Sequence, residues 1–303
     1  MEVVILQGGL GNQMFQYAFY LAKRQQNASV VVCDYWIRRN NDHNGYELDS
    51  LFGIRGHQGL LVQNTVRVIR KLLIFKRKRG FQNITSFLLS LLHWCGIQII
   101  FEKGIGIFDS GMLNKHSGFC FYCGFWETEK YFLSIKHEIL NAFRFDDTTL
   151  SVQTRDVLRW IENTNSVSIH FRRGDFLTEE NQILYGNICT PDYYNRAIKT
   201  MGTYMKVPVY FVFSDDIEWV RENMSIPNPN YIDWNQGQDS WQDMFLMSRC
   251  KHNIIANSTF SWWGAWLNRN EGKTVIAPFR FCNSAETPDF IPASWMTVGE
   301  FDF

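Results

Sequence analysis

"VSIHFRRGDF", Val167 to Phe176, decides the fold. It reads as a buried strand that runs without a gap into a histidine, two adjacent arginines, a glycine and an aspartate. Two neighbouring guanidiniums repel each other and hold water tightly, so this corner implies an anionic ligand. From Ser166 onward, strand and helix signals alternate at short, regular spacing. "TPDYYNRAIKTM" opens a helix, with Thr190 as N-cap, Pro191 in the first turn and Asp192 favouring the dipole. "VPVYFVFS" is a near-continuous apolar run of the kind buried on both faces of a parallel sheet. "DDIEWVREN", "SWQDMFLMSRC" and "STFSWWGAWLN" read as helices, "NYIDW" and "HNIIAN" as strands, and "KTVIAP" as the final strand. This is the grammar of a doubly wound α/β domain, whose ligands lie beyond the carboxyl ends of its strands.

The amino-terminal half opens the same way, with strand "VVILQ", loop "GGLGN", helix "QMFQYAFYLAKRQQ" and strand "SVVVCD". Gly9, Gly11 and Asp34 invite a dinucleotide reading, but the third glycine of that fingerprint falls on Met14, whose side chain obstructs helix–strand packing. What the glycines supply is an open turn at a helix start, where Asn12 and Gln13 can face a polar ligand. Between Tyr35 and Ser166 the strand order is not legible. A change of pattern alone places the domain boundary near residue 150, giving domains 1–150 and 151–303.

The chain has 303 residues, enough for two medium domains, and 30 Lys plus Arg balance 30 Asp plus Glu, so nucleic acid is not expected as partner. Seven scattered cysteines without a C-x-x-C pair suggest neither a zinc site nor a disulfide framework. "VVIL" at Val3 is only a strand long, so no signal peptide is expected and a cytoplasmic, reducing location fits. Sequons at Asn27, Asn83, Asn223 and Asn257 then carry no glycosylation meaning. Residues 67–101 join a basic segment, "RVIRKLLIFKRKR", to an apolar one, "ITSFLLSLLHWCGIQIIF". Two domain helices with a solvated cationic face, peripheral contact with the inner face of a membrane, and a span all stay open. His93 and Gln98 count against the span.

"GGLGNQMFQYA" (Gly8–Ala18), "HFRRGDF" (His170–Phe176), "FVFSDD" (Phe211–Asp216) and "NSTFSWWGAWL" (Asn257–Leu267) together resemble the ordered motif set of the alpha-1,2-fucosyltransferases. The resemblance implies two Rossmann-like domains in a glycosyltransferase B type fold, the first on the acceptor side and the second binding GDP-fucose. It also implies transfer of L-fucose with inversion to the 2-hydroxyl of a galactose-terminated oligosaccharide or glycan-lipid, without an obligatory metal or other cofactor.

Departure of GDP builds negative charge on the β-phosphate. The chain has no Asp-x-Asp triplet to carry a divalent ion, so fixed cations are expected to do that work, and an arginine fork matches phosphate oxygens. The resemblance puts Arg172 on the pyrophosphate, His170 in the donor pocket, Phe260 along the nucleotide and Asp243 on the two donors of the guanine edge. Arg173, on the opposite side of an extended chain, either joins the phosphate or pairs with a carboxylate. Asp175 either braces Arg173 or positions the acceptor hydroxyl, and it is the weakest assignment, as proton acceptor. Ser258 and Thr259 offer amides and hydroxyls at a helix start. One of Asp215 and Asp216 caps a helix, and the other is free for ribose. Gly9, Gly11 and Gln13 complete the donor side, and Asn12 orients sugar.

Overall fold

The computed structural model describes residues 1–39, 43–76, 78, 81–283 and 286–299. The chain divides into two compact units, Met1–Arg144 and Phe145–Phe303.

In the first unit, strands β1 (Glu2–Ile5), β2 (Val30–Cys33), β3 (Ile97–Phe101) and β4 (Phe119–Cys123) form a parallel sheet in the order β2-β1-β4-β3. Helices α1 (Leu10–Gln26), α2 (Glu47–Phe52), α3 (Leu60–Lys76), α4 (Gln82–Trp94) and α5 (Lys136–Ala142) accompany it. Phe15, Ala18, Phe19 and Ala22 of α1 are all buried, as their spacing predicts. The apolar run after residue 83 is not one element. Helix α4 ends, Gly96 takes φ +81°, and an edge strand follows, because a left-handed glycine reverses a helix at no steric cost. Among the described residues no helix is long and apolar enough to cross a membrane.

The second unit contains α6 (Val152–Asn163), β5 (Ser166–Phe171), α7 (Glu179–Tyr185), α8 (Pro191–Tyr204), β6 (Val209–Ser214), α9 (Ile217–Asn223), β7 (Pro229–Ile232), α10 (Trp241–Arg249), β8 (His252–Ile254), α11 (Thr259–Leu267), β9 (Val275–Pro278) and β10 (Met296–Val298). All six strands are parallel, in the order β10-β9-β8-β5-β6-β7. "KTVIAP" is therefore not the last strand, since β10 adds to its edge. Thr190 caps α8 by accepting from the Tyr193 amide at 3.3 Å.

Every residue of β5 is buried. Val167, Ile169 and Phe171 pack with Tyr193, Tyr194, Ala197 and Met201 of α8, while Asn253 reaches Ser168 Oγ across the other face at 2.7 Å. Tyr194 donates to the His170 carbonyl at 2.9 Å and Tyr193 to that of Ile255 at 2.6 Å, so α8 satisfies carbonyls at two strand ends.

Helices α10 and α11 meet at Gly264, where an added Cβ would stand 2.8 Å from Met247 Cβ. Gly264→Ala gains helix propensity but overpacks this contact. A net loss of about 1–2 kcal/mol is expected, read as a lower midpoint in urea or heat. An unchanged midpoint would show that the helices can separate freely.

Candidate active site

A position where neighbouring parallel strands lead off in opposite directions is a switch point, and it opens a crevice at the strands' carboxyl ends. In the second unit it lies between β5 and β8, paired through Ile169 and Ile254. Beyond β5 come Arg172 and Arg173, and beyond β8 comes the amino end of α11.

The strand ends at Phe171, so the two arginines are told apart by their partners rather than by strand alternation. Arg172 Nη2 lies 2.6 Å from Asp175 Oδ1, and its Nη1 lies 2.8 Å from Asp215 Oδ2. Arg173 stacks on Trp219, 3.6 Å from the ring centroid, and pairs through Nε with Asp216 Oδ2 at 3.1 Å. Asp215 Oδ1 also accepts from the Arg173 amide at 2.8 Å, so this one carboxylate fixes both the chain and the Arg172 fork. At Gly174 an added Cβ would come within 2.6 Å of Asp215 Oδ2, so a side chain there would displace this carboxylate. Asp216 is the cap, accepting from the Trp219 amide at 3.3 Å.

Two expectations change. Asp175 braces Arg172 rather than Arg173, because the turn at Gly174–Leu177 folds it back onto the first guanidinium. Arg172 itself meets no bare corner: two arginines face three aspartates, so an incoming anion must compete with carboxylates already in place.

His170 is 5% exposed, its Nδ1 has no hydrogen-bond partner, and burial pushes its pKa down to about 4. It is neutral at physiological pH, with one ring nitrogen unsatisfied. Its ring lies 6.0 Å from that of Phe260, which ties the start of α11 to the arginine corner. The Ser258 hydroxyl caps its own helix, accepting from the Phe260 amide at 3.3 Å, so it is already engaged. Thr259 and Phe260 are half-buried. Trp262, Trp263 and Trp266 are buried core, as expected.

Asp243 lies partly buried in the first turn of α10. Desolvation pushes its carboxyl up to about 8, and Asn235 donates to its Oδ1 at 2.8 Å. A cavity of about 160 Å³ is lined by both arginines together with Phe176, Tyr185 and Trp219.

In the first unit β1 lies between β2 and β4. Gly9 is the N-cap of α1 and Gly11 lies buried in its first turn. Asn12 leaves Oδ1 without a partner. Gln13 is not available to a ligand: it is fully buried, donates to the Gly8 and Gly45 carbonyls at 3.0 and 2.9 Å, and accepts from the Glu47 amide at 3.1 Å.

Two carboxylates that sequence reading did not single out follow the strands β3 and β4. Glu102 accepts from the amides of Phe125 and Trp126 at 3.0 and 2.8 Å. Glu127 is buried, and desolvation with the nearby Glu102 charge pushes it up to about 8. The signal available was acids directly after apolar strands in "IQIIFE" and "FCFYCGFWE". Among the described residues no group of three or more His, Cys, Asp or Glu side chains is placed to hold a metal ion.

An alpha-1,2-colitosyltransferase of Escherichia coli is 31% identical over 305 residues, covering 98% of this chain and 99% of that protein. Galactoside alpha-(1,2)-fucosyltransferase 1 of Alouatta belzebul is 29% identical over 146 residues, 45% of this chain and 40% of that one. The solved structure of Arabidopsis thaliana FUT1 in complex with GDP superimposes with a TM-score of 0.51 at 12% identity, covering 96% of this chain and 75% of that chain. This likeness is one of fold, and it agrees with the two parallel-sheet units of a glycosyltransferase B type architecture. The profile of Glycosyl transferase family 11 matches residues 106–296, well over half of the sequence. On that match and the nearly full-length likeness to the Escherichia coli enzyme, the chain belongs to glycosyl transferase family 11.

Proposed function

We propose that this glycosyltransferase moves L-fucose from GDP-beta-L-fucose to the 2-hydroxyl of a terminal galactose, with inversion. The observation that carries the reading is the Arg172 fork at the second unit's switch point, beside the start of α11. In this account the second unit takes the donor and the first unit the acceptor. Guanine donates two hydrogen bonds to Asp243, and Phe260 and His170 line the nucleotide. The diphosphate takes the Nη2 edge of Arg172 from Asp175, while Asp215 keeps the Nη1 edge. As the bond from fucose C1 to the β-phosphate oxygen breaks, the electron pair stays on that oxygen and the guanidinium stabilises it. The galactose 2-oxygen forms the new bond to C1 from the opposite face. Its proton passes to a carboxylate, for which Asp175, released from Arg172, is our assignment.

A second reading, colitose as the transferred sugar, is favoured by the 31% identity to the colitosyltransferase. Colitose lacks the 3-hydroxyl of fucose, and a site that hydrogen-bonds this group rejects the deoxy sugar by a large factor. The test is GDP release from GDP-fucose and from GDP-colitose with a panel of galactosides, with and without EDTA, followed by linkage analysis. Alpha-1,2-fucosylated galactose formed equally in EDTA is the expected product. Turnover of GDP-colitose alone would establish the second reading, and release from neither donor would remove both.

A further inference from the structure

Helix α4 turns its apolar side outward. Ile84, Phe87, Leu91 and Trp94 follow one another at spacings of three, four and three residues, which sets them in one stripe. They are 58%, 69%, 46% and 85% exposed, and Thr85 is the helix's one buried residue. This is the pattern of a helix face packed into a core, with no core opposite it. Helix α3 lies beside it and differs in kind: Val62, Val66 and Ile69 bury against the first unit's sheet, while Arg67 and Lys71 point to solvent. The Phe75 ring near the carboxyl end of α3 approaches that of Phe81 at 5.8 Å, with Lys78 Nζ 5.5 Å from its centroid.

Charge decides what covers this face. Between Leu60 and Phe101 lie seven of the chain's 30 Lys and Arg and none of its 30 Asp and Glu, although the whole chain is neutral. A second copy would bring the same cations into apposition and be repelled. An anionic surface is complementary to them, and a tryptophan at the end of an apolar stripe suits the boundary between headgroups and acyl chains.

We propose that the α3–α4 hairpin docks on an anionic lipid bilayer, with the α4 stripe lying in the interface and the α3 cations over the headgroups. The inference is independent of which sugar is transferred.

Flotation of the full chain with vesicles is the test. Binding is expected to phosphatidylglycerol–phosphatidylcholine vesicles, weakening as salt rises, with little binding to phosphatidylcholine alone. Arg67→Gln with Lys71→Gln should weaken partitioning roughly twenty- to thirtyfold, about fivefold per cation. Phe87→Ser with Trp94→Ser should abolish it. Both pairs are solvent-exposed, so thermal unfolding should not move. Equal binding to neutral vesicles, or none to anionic ones, would overturn the proposal. So would a sedimenting dimer that Trp94→Ser dissociates, because the covering partner would then be a second copy.

Discussion

Arg172→Ala is expected to lower kcat by roughly two to three orders of magnitude while the chain stays folded. The charge on the β-phosphate oxygen grows as its bond to fucose breaks, so the lost interaction is worth most in the transition state, and kcat should fall further than KM rises. Arg172→Lys should not rescue it, because a point charge cannot span two oxygens as the fork does, and a loss of at least about tenfold should remain. The fold should tolerate both changes. Arg172 and Asp215 are about a quarter exposed and Asp175 more so, and partly solvated ion pairs of this kind are worth about 1 kcal/mol or less. Steady-state kinetics and thermal unfolding on the same preparations separate the two effects. Near-normal turnover of Arg172→Ala would remove the assignment.

The second large effect concerns Asp243. With its carboxyl pushed up to about 8, the free protein holds a proton there at neutral pH, yet only the carboxylate accepts both guanine donors. On the proposed reading, donor binding therefore releases that proton. Affinity for GDP-fucose should rise with pH between about 6 and 8, by up to roughly tenfold per unit, and level off above the pKa. GDP-fucose is the right probe because its diphosphate is esterified at both ends and does not titrate in this window. Asp243→Asn should flatten the profile and weaken binding about a hundredfold, since one acceptor is replaced by a donor facing donors. Without ligand the sign reverses. A carboxyl raised in the folded state stabilises the fold below its ordinary pKa, and that contribution fades as pH rises toward 8. Calorimetric titrations in buffers of different ionisation enthalpy count the proton directly. A pH-independent affinity in the parent chain would show that Asp243 does not hold the base.

Much of the second unit was legible because its signals are local. The all-buried run of β5 and the Thr190 cap each depend on neighbours a few residues away. The middle of the first unit was not. Strand β3 hides behind α4 in one apolar run, and the glycine that separates them, Gly96, matters through its φ of +81°, which composition does not display. Strand β4 is flanked by short 3-10 turns rather than by a long helix on each side.

The site divides in the same way. Which residues come to the corner could be read from motifs; what they hold could not. Arg172 is gripped by Asp215, 43 positions away, and Gln13 is consumed by Gly45 and Glu47 after a loop whose path no pattern encodes. Of the three carboxylates at the guanidinium pair, Asp175 is local, while Asp215 and Asp216 come from the end of the next strand.

The most direct test of the account is a crystal structure of the chain with GDP-fucose or GDP bound. The account predicts diphosphate oxygens within hydrogen-bonding distance of the Arg172 guanidinium, Asp215 still in place, and Asp175 turned away from it. A diphosphate bound elsewhere, with both Arg172 carboxylate pairs unbroken, would contradict it.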